Sequence, residues 1–152
     1  ATGVADPDRL YVYGFSAGGG YLVNRIITRP HPFTAAASWE STADVRIFDG
    51  ETHQLQVFFR GCELSECPQR WDAASPITRP EKVTVPFTII SGGGPTTHRA
   101  ASTAWHAALT EIGVASDLHI YPDQEHVFTE QAHRSALAVL ATAWNLTQPG
   151  DG

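Results

Sequence analysis

Residues 14 to 18, Gly14-Phe15-Ser16-Ala17-Gly18, set a single serine between two glycines at the end of the apolar run "YVY". In the pattern G-x-S-x-G the serine stands on a sharp turn between a strand and a helix, and the glycines relieve the backbone crowding that such a turn creates. The hydroxyl is left exposed at the strand's end. There the N–H of Ala17, at the positive end of the following helix, is placed to donate to the oxyanion of a tetrahedral intermediate. A serine hydroxyl is a poor nucleophile at neutral pH unless a base takes its proton, so this chemistry also requires a histidine near another strand end. Of the seven histidines, His126 in "IYPDQEHVF" fits best, because it follows the last expected strand across a polar turn. His98, His106 and His133 fall on expected helices and His119 within a strand. His31 and His53 lie in loops, where a solvated imidazole is the plain reading.

Such residues meet only if the fold gathers strand ends at one edge. Short β-rich runs alternate along the chain with helical patterns, the signature of a parallel sheet covered by helices and therefore of an α/β fold. Residues 9–14 read as a buried strand. Residues 17–29 follow as a helix with Leu22, Val23, Ile26 and Ile27 at helical spacing before Pro30 stops it. Residues 33–39 read as a second strand, 55–60 as a short third element, and 86–91 as an apolar strand bounded by Pro86 and glycines. The spacing predicts a helix over 97–112 with Ala101, Ala104, Trp105, Ala108, Leu109 and Ile112 on one face and Gly113 at its end. A last strand is expected at 116–122 and a closing amphipathic helix at 129–144, with Thr129 as its N-cap. Between 41 and 80 the pattern lapses into a polar, proline-bearing stretch that behaves as an insertion in one domain spanning 1–152.

Composition bounds the classes of function. With 42% hydrophobic and 17% charged residues over 152 positions, the chain is long enough to bury a core. Its 16 acidic and 10 basic residues give a net charge of -6 with no basic run, which argues against a nucleic-acid partner. No stretch reaches the roughly 18 apolar residues of a membrane span, and residues 1–30 show no charged head followed by an apolar core. The chain holds no methionine, so it reads as a processed product or a piece of a longer one. Secretion and a cytoplasmic location both stay open. Cys62 and Cys67 allow a local disulfide in an oxidising compartment or two free thiols in a reducing one. A zinc site of the usual kind would need a second cysteine pair, which is absent, and no cofactor is implied.

Taken in order, "DPDRLYVYGFSAGGG", "WDAASPI", "PFTIISGG" and "AWHAALTEIGVASDLHIYPDQEHVF" resemble the α/β-hydrolase fold in its prolyl-oligopeptidase-like and dienelactone-hydrolase-like branches. The resemblance covers nearly the whole chain, from the serine turn onward. It implies a mostly parallel sheet with helices on both faces, Ser16 as nucleophile, His126 as base and Ala17 as one oxyanion donor. It also implies hydrolysis of a carboxylic ester or, as the lesser expectation, a peptide bond.

Two departures from the pattern stand out. The family's strand matching "PFTIIS" is followed by H-G-x-x-D, whose aspartate orients the histidine, whereas here Ser91, Gly92, Gly93, Gly94 and Pro95 occupy those places. Some members of the fold carry the acid after the preceding strand, where Glu40 in "SWES" stands, so Glu40 is the expected substitute. Glu63, Glu66 and Asp123 are further candidates. The second departure is that the family's strands N-terminal to the serine turn have no counterpart here. A parallel edge strand exposes unpaired backbone and apolar faces, so a homo-oligomer or a complementing N-terminal chain is expected.

A non-catalytic remnant of the same fold, acting as a binding or assembly module, is the alternative reading. A metal site built from the histidines and the cysteine pair is a third. Trp39, Phe58, Phe59 and Trp71 either line a substrate pocket or belong to the core. Asn145-Leu146-Thr147 fits a glycosylation triplet but falls on the surface of the expected last helix.

Overall fold

The computed structural model describes residues 6–51, 53, 61–94 and 97–146. Four parallel strands, β1 (Tyr11–Phe15), β2 (Ala35–Trp39), β3 (Phe87–Gly92) and β4 (Ser116–Tyr121), form one sheet in sequential order. Tyr11 pairs with Ala35, Ala36 with Phe87, and Phe87 with Ser116, so all four strands finish along the same edge. Among the described residues the helices are α1 (Ser16–Ile26), α2 (Pro68–Ala74), α3 (Thr97–Glu111) and α4 (Glu130–Ala143). The expected element at 55–60, with Phe58 and Phe59, lies outside the described residues, as do Pro95 and Thr147.

Strand order and crossover handedness decide where the helices go. Right-handed crossovers that always step the same way across a sheet place their helices on one face. α1 and α3 do share a face: Val23 and Ile27 pack with Trp105 and Leu109 over Ala36, Phe87 and Ile89. The opposite pleat, Ala35, Ala37, Trp39 and Ile90, is covered by Ala136, Leu140 and Trp144. These last three residues lie on α4 and at its C-cap. Each fully buried large side chain contributes about 1.5–3 kcal/mol. Both pleats therefore carry the sheet, and the two central strands, β2 and β3, are buried along their whole length rather than alternately.

Boundaries differ from the sequence reading by a residue or three. α1 stops at Ile26 rather than Arg29 because Arg29 N–H turns back to Ile26 O at 3.0 Å and the Thr28 hydroxyl donates to Arg25 O at 3.0 Å, a tight last turn before Pro30. On α3 the buried face is narrower than predicted. Ala101, Ser102, Trp105 and Leu109 are buried, while Ala104 is exposed and Ile112, also exposed, lies one residue beyond the helix. Gly113, at φ +82°, ends that helix, and Val114 N–H closes onto Leu109 O at 3.0 Å. Thr129 caps α4 by accepting from Ala132 N–H at 3.3 Å. Asn145 lies beyond that helix at φ +50°, not on its surface as expected.

The stretch that lacked a pattern packs on α1 through its own apolar cluster of Tyr21, Val45, Cys67, Trp71 and Ala74. Tyr21 donates its hydroxyl to Ala74 O at 2.8 Å, and Trp71 Nε1 donates to Cys62 O at 3.1 Å. Cys62 and Cys67 form a disulfide. Trp39 and Trp71 are both core residues, at 1% and 0% exposure. Among the described residues no helix is long and apolar enough to cross a membrane.

Candidate active site

The C-terminal edge of a parallel sheet is where loops from several strands converge, and here it gathers three residues that the sequence keeps far apart. Ser16 follows β1, Glu40 follows β2, and His126 arrives on the loop after β4. Ser16 Oγ lies 2.9 Å from His126 Nε2, across 110 residues of chain. On the far side of the ring His126 Nδ1 lies 3.4 Å from Glu40 Oε2, and Glu40 has no exposed surface. The nitrogen that faces a carboxylate is the one that carries the proton, which leaves the Nε2 lone pair toward the serine.

Two backbone bends aim these side chains. Ser16 has φ +60° and Glu40 φ +45°, both in the left-handed region that costs a non-glycine residue about 1–3 kcal/mol and persists only where packing over-determines it. At Glu40 the determinants are visible. Its N–H extends the ladder to Ile90 O at 2.9 Å, and its Oε1 accepts from the Ser91 hydroxyl at 2.9 Å and from Gly92 N–H. Without such partners a buried carboxylate would be expensive. The next residues are pinned as well. Asn24 of α1 donates to Ser41 Oγ at 3.3 Å and Thr42 O at 2.9 Å, and Gly20 passes so close that a Cβ there would meet Ser41 Cβ at 2.5 Å.

The glycines at the end of β3 have a positive role of their own. A Cβ on Gly92 would stand 2.5 Å from Gln124 O and 2.8 Å from Glu125 O, and one on Gly93 would stand 2.6 Å from Pro122 O. Gly93 N–H donates to Tyr121 O at 2.7 Å and Gln124 O at 3.0 Å. The loop that carries His126 thus lies directly on the backbone at the end of β3. A side chain at either glycine has no room there. Glu63, Glu66 and Asp123, the other candidate acids, are exposed.

Around the ring, Phe15 packs at 5.1 Å between centroids and meets Trp39 edge-on at 5.9 Å. His98, read from the sequence as an ordinary helix residue, sits with its ring 4.8 Å from that of His126. Burial lowers the His98 pKa and the neighbouring His126 lowers it further, against a smaller opposing pull from Glu40. His106 instead contacts Ser116 Oγ at 3.0 Å, His133 packs on Trp39 at 4.6 Å, and His31 stacks on Phe33 at 5.8 Å. Ala17 is the second residue of α1, in the turn whose N–H groups lack intrahelical partners.

A parallel sheet with helices on both faces, a serine bend after one strand and a histidine returning to it from the last strand define part of an α/β-hydrolase fold. Residues 1–150 match the prolyl oligopeptidase family, and the chain belongs to that family. Comparison with curated proteins gives no match. Among solved structures, the dipeptidyl peptidase 4 of Porphyromonas gingivalis superposes with a TM-score of 0.80 at 20% identity, over 95% of this chain and 20% of that one. A puromycin-hydrolyzing peptidase of Mycobacterium tuberculosis gives 0.77 at 23% identity, over 97% of this chain and 24% of the other. The acylaminoacyl peptidase of Pyrococcus horikoshii gives 0.72 at 15%, over 97% and 26%. This chain thus spans between a fifth and about a quarter of the length of these proteins.

Proposed function

We propose that this chain carries the reacting residues of a serine hydrolase that cleaves peptide or related amide bonds through an acyl-enzyme. Ser16 Oγ attacks the carbonyl carbon and His126 Nε2 takes its proton. Collapse of the tetrahedral intermediate expels the amine, which leaves with that proton, and water attacking through the same base frees the acid and Ser16. Glu40 holds the Nδ1 proton and the ring's orientation, and Ala17 N–H faces the developing oxyanion. The observation that carries this reading is the hydroxyl–imidazole contact of 2.9 Å with a buried carboxylate on the opposite ring nitrogen. The family match and the peptidase names of the similar structures favour a peptide over the simple ester expected first. Ester cleavage uses the same steps and is measured alongside.

Labelling with a fluorophosphonate probe, read by mass spectrometry on the Ser16 peptide, tests it. A Ser16 adduct is expected in the folded chain, with none in Ser16→Ala and a rate reduced at least about 10³-fold in His126→Ala. A folded sample with no Ser16 adduct removes the enzymatic reading and favours the binding-module alternative.

Among the described residues β1 is an outer strand of the sheet, and Tyr13 and Phe15 on it are 50% and 39% exposed. We further propose that another chain segment, from a second copy or from sequence preceding residue 1, pairs with this edge. Light scattering of the chain alone is expected to give a mass above the 16.4 kDa of one copy. A monodisperse monomer overturns pairing with a second copy and leaves only a preceding segment.

A further inference from the structure

His98 has no part in the path from Ser16 to Glu40, yet it stands against it. Glu40, His98 and His126 each offer a ligand atom within 4.8 Å of the other two. Within that group, His126 Nδ1 and Glu40 Oε2 are 3.4 Å apart, long for a charge-assisted hydrogen bond. Two ligands on one tetrahedral zinc ion, at Zn–N of about 2.0–2.1 Å and Zn–O of about 2.0–2.2 Å, are themselves separated by about 3.4 Å. The gap is thus already the width that an ion needs, and His98 on α3 offers its ligand atom within 4.8 Å of both sides of it. With both cysteines tied in a disulfide, this is the ligand cluster found among the described residues.

We propose that Glu40, His98 and His126 form a reversible inhibitory site for one zinc ion, held by two imidazoles and a carboxylate. The inhibition, though not the binding, rests on the reading of Ser16 and His126 given above. A neutral imidazole carries one proton. In the free site it lies on Nδ1, toward Glu40. Zinc coordinates the Nδ1 lone pair, so the ring's proton passes to Nε2, where it points at Ser16 Oγ. No proton is gained or lost, but the lone pair that would accept the serine's proton is gone. Removing the ion restores the first arrangement. Magnesium and calcium, which take oxygen ligands in larger number, have no comparable hold on two imidazoles.

Equilibrium dialysis of the folded chain against zinc, read by atomic absorption, tests the binding for the wild type, His98→Gln and Glu40→Gln, with circular dichroism to verify folding. Each variant is expected to lose the tightest-bound ion, its affinity falling by about tenfold or more. In parallel, the ratio of fluorophosphonate labelling rates in EDTA and in zinc is expected to be about ten or more for the wild type and near one for His98→Gln. Magnesium and calcium should leave the wild-type rate unchanged. A wild type that binds no zinc overturns the proposal, as does equal affinity in the wild type and both variants. Zinc bound through His98 and Glu40 in a chain that never labels would support the metal site and refute the nucleophile.

Discussion

Glu40→Gln is expected to lower turnover by about 10³- to 10⁴-fold while the protein stays folded. The amide keeps the volume of the acid, and its oxygen accepts from the Ser91 hydroxyl and Gly92 N–H as Oε1 does now. That orientation turns the NH₂ group toward His126 Nδ1. An N–H facing that nitrogen demands a lone pair there, so the ring proton shifts to Nε2 and the base can no longer take the proton of Ser16. Probe labelling and hydrolysis of a chromogenic amide measure the loss, and thermal unfolding measures what the fold retains. A variant within about tenfold of the wild type would show that Glu40 does not orient the base.

The second large effect is expected from Gly93→Ala. The added Cβ would press on Pro122 Cα and stand 2.6 Å from Pro122 O. Backbone atoms cannot rotate away as the end of a long side chain can, so the 122–126 loop must retreat and take His126 with it. Misplacing a reacting group by about 1 Å costs on the order of 100-fold in rate, and overpacking costs about 1–3 kcal/mol in stability. Both losses should appear together, as slowed labelling of Ser16 and a lowered unfolding midpoint. Gly113→Ala is the control. Its φ of +82° makes alanine strained by about 1–2 kcal/mol, but nothing stands within 4 Å of the new methyl and the position lies between α3 and β4. It should destabilise the chain without slowing labelling. If Gly93→Ala behaves in the same way, the close approach of loop and strand is not what seats His126.

The four strands, the helices α1, α3 and α4 and the serine–histidine pair were legible because each leaves a local trace, whereas α2 lies in the 41–80 stretch where no pattern was read. Ser16 sits in a five-residue pattern whose glycines are dictated by a bend, and His126 follows the last apolar run. Both signals survive without knowledge of the partners. Glu40 could be picked out only by its position after a strand, because its contact with the ring reaches across 86 residues and its other partners, Ser91 and Gly92, lie on a strand 51 and 52 residues away. Gly92 and Gly93 were visible only as part of a glycine run after an apolar strand; their use, to let a second loop lie against them, is a tertiary fact with no local mark. His98 and Asn24 were hidden in the same way, since a polar residue on a helix looks alike whether it meets solvent or a neighbouring strand end. The face of α3 was read too wide because helical spacing shows which residues share a side, not how much of that side the sheet covers.

The sequential strand order has a further consequence for the reach of the base. From the end of β4 back to β1 is three inter-strand spacings, about 14–15 Å. The five residues from Tyr121 to His126 span at most about 16–18 Å when drawn straight. Part of that length is already spent in the bend closed by Gln124 N–H to Tyr121 O at 3.0 Å. The loop is a short tether over a wide gap, with only the imidazole's own length to spare. Lengthening it merely adds slack, whereas every residue removed must be recovered by undoing the bend that rests on Gly93, so evolution is freer to grow this loop than to trim it.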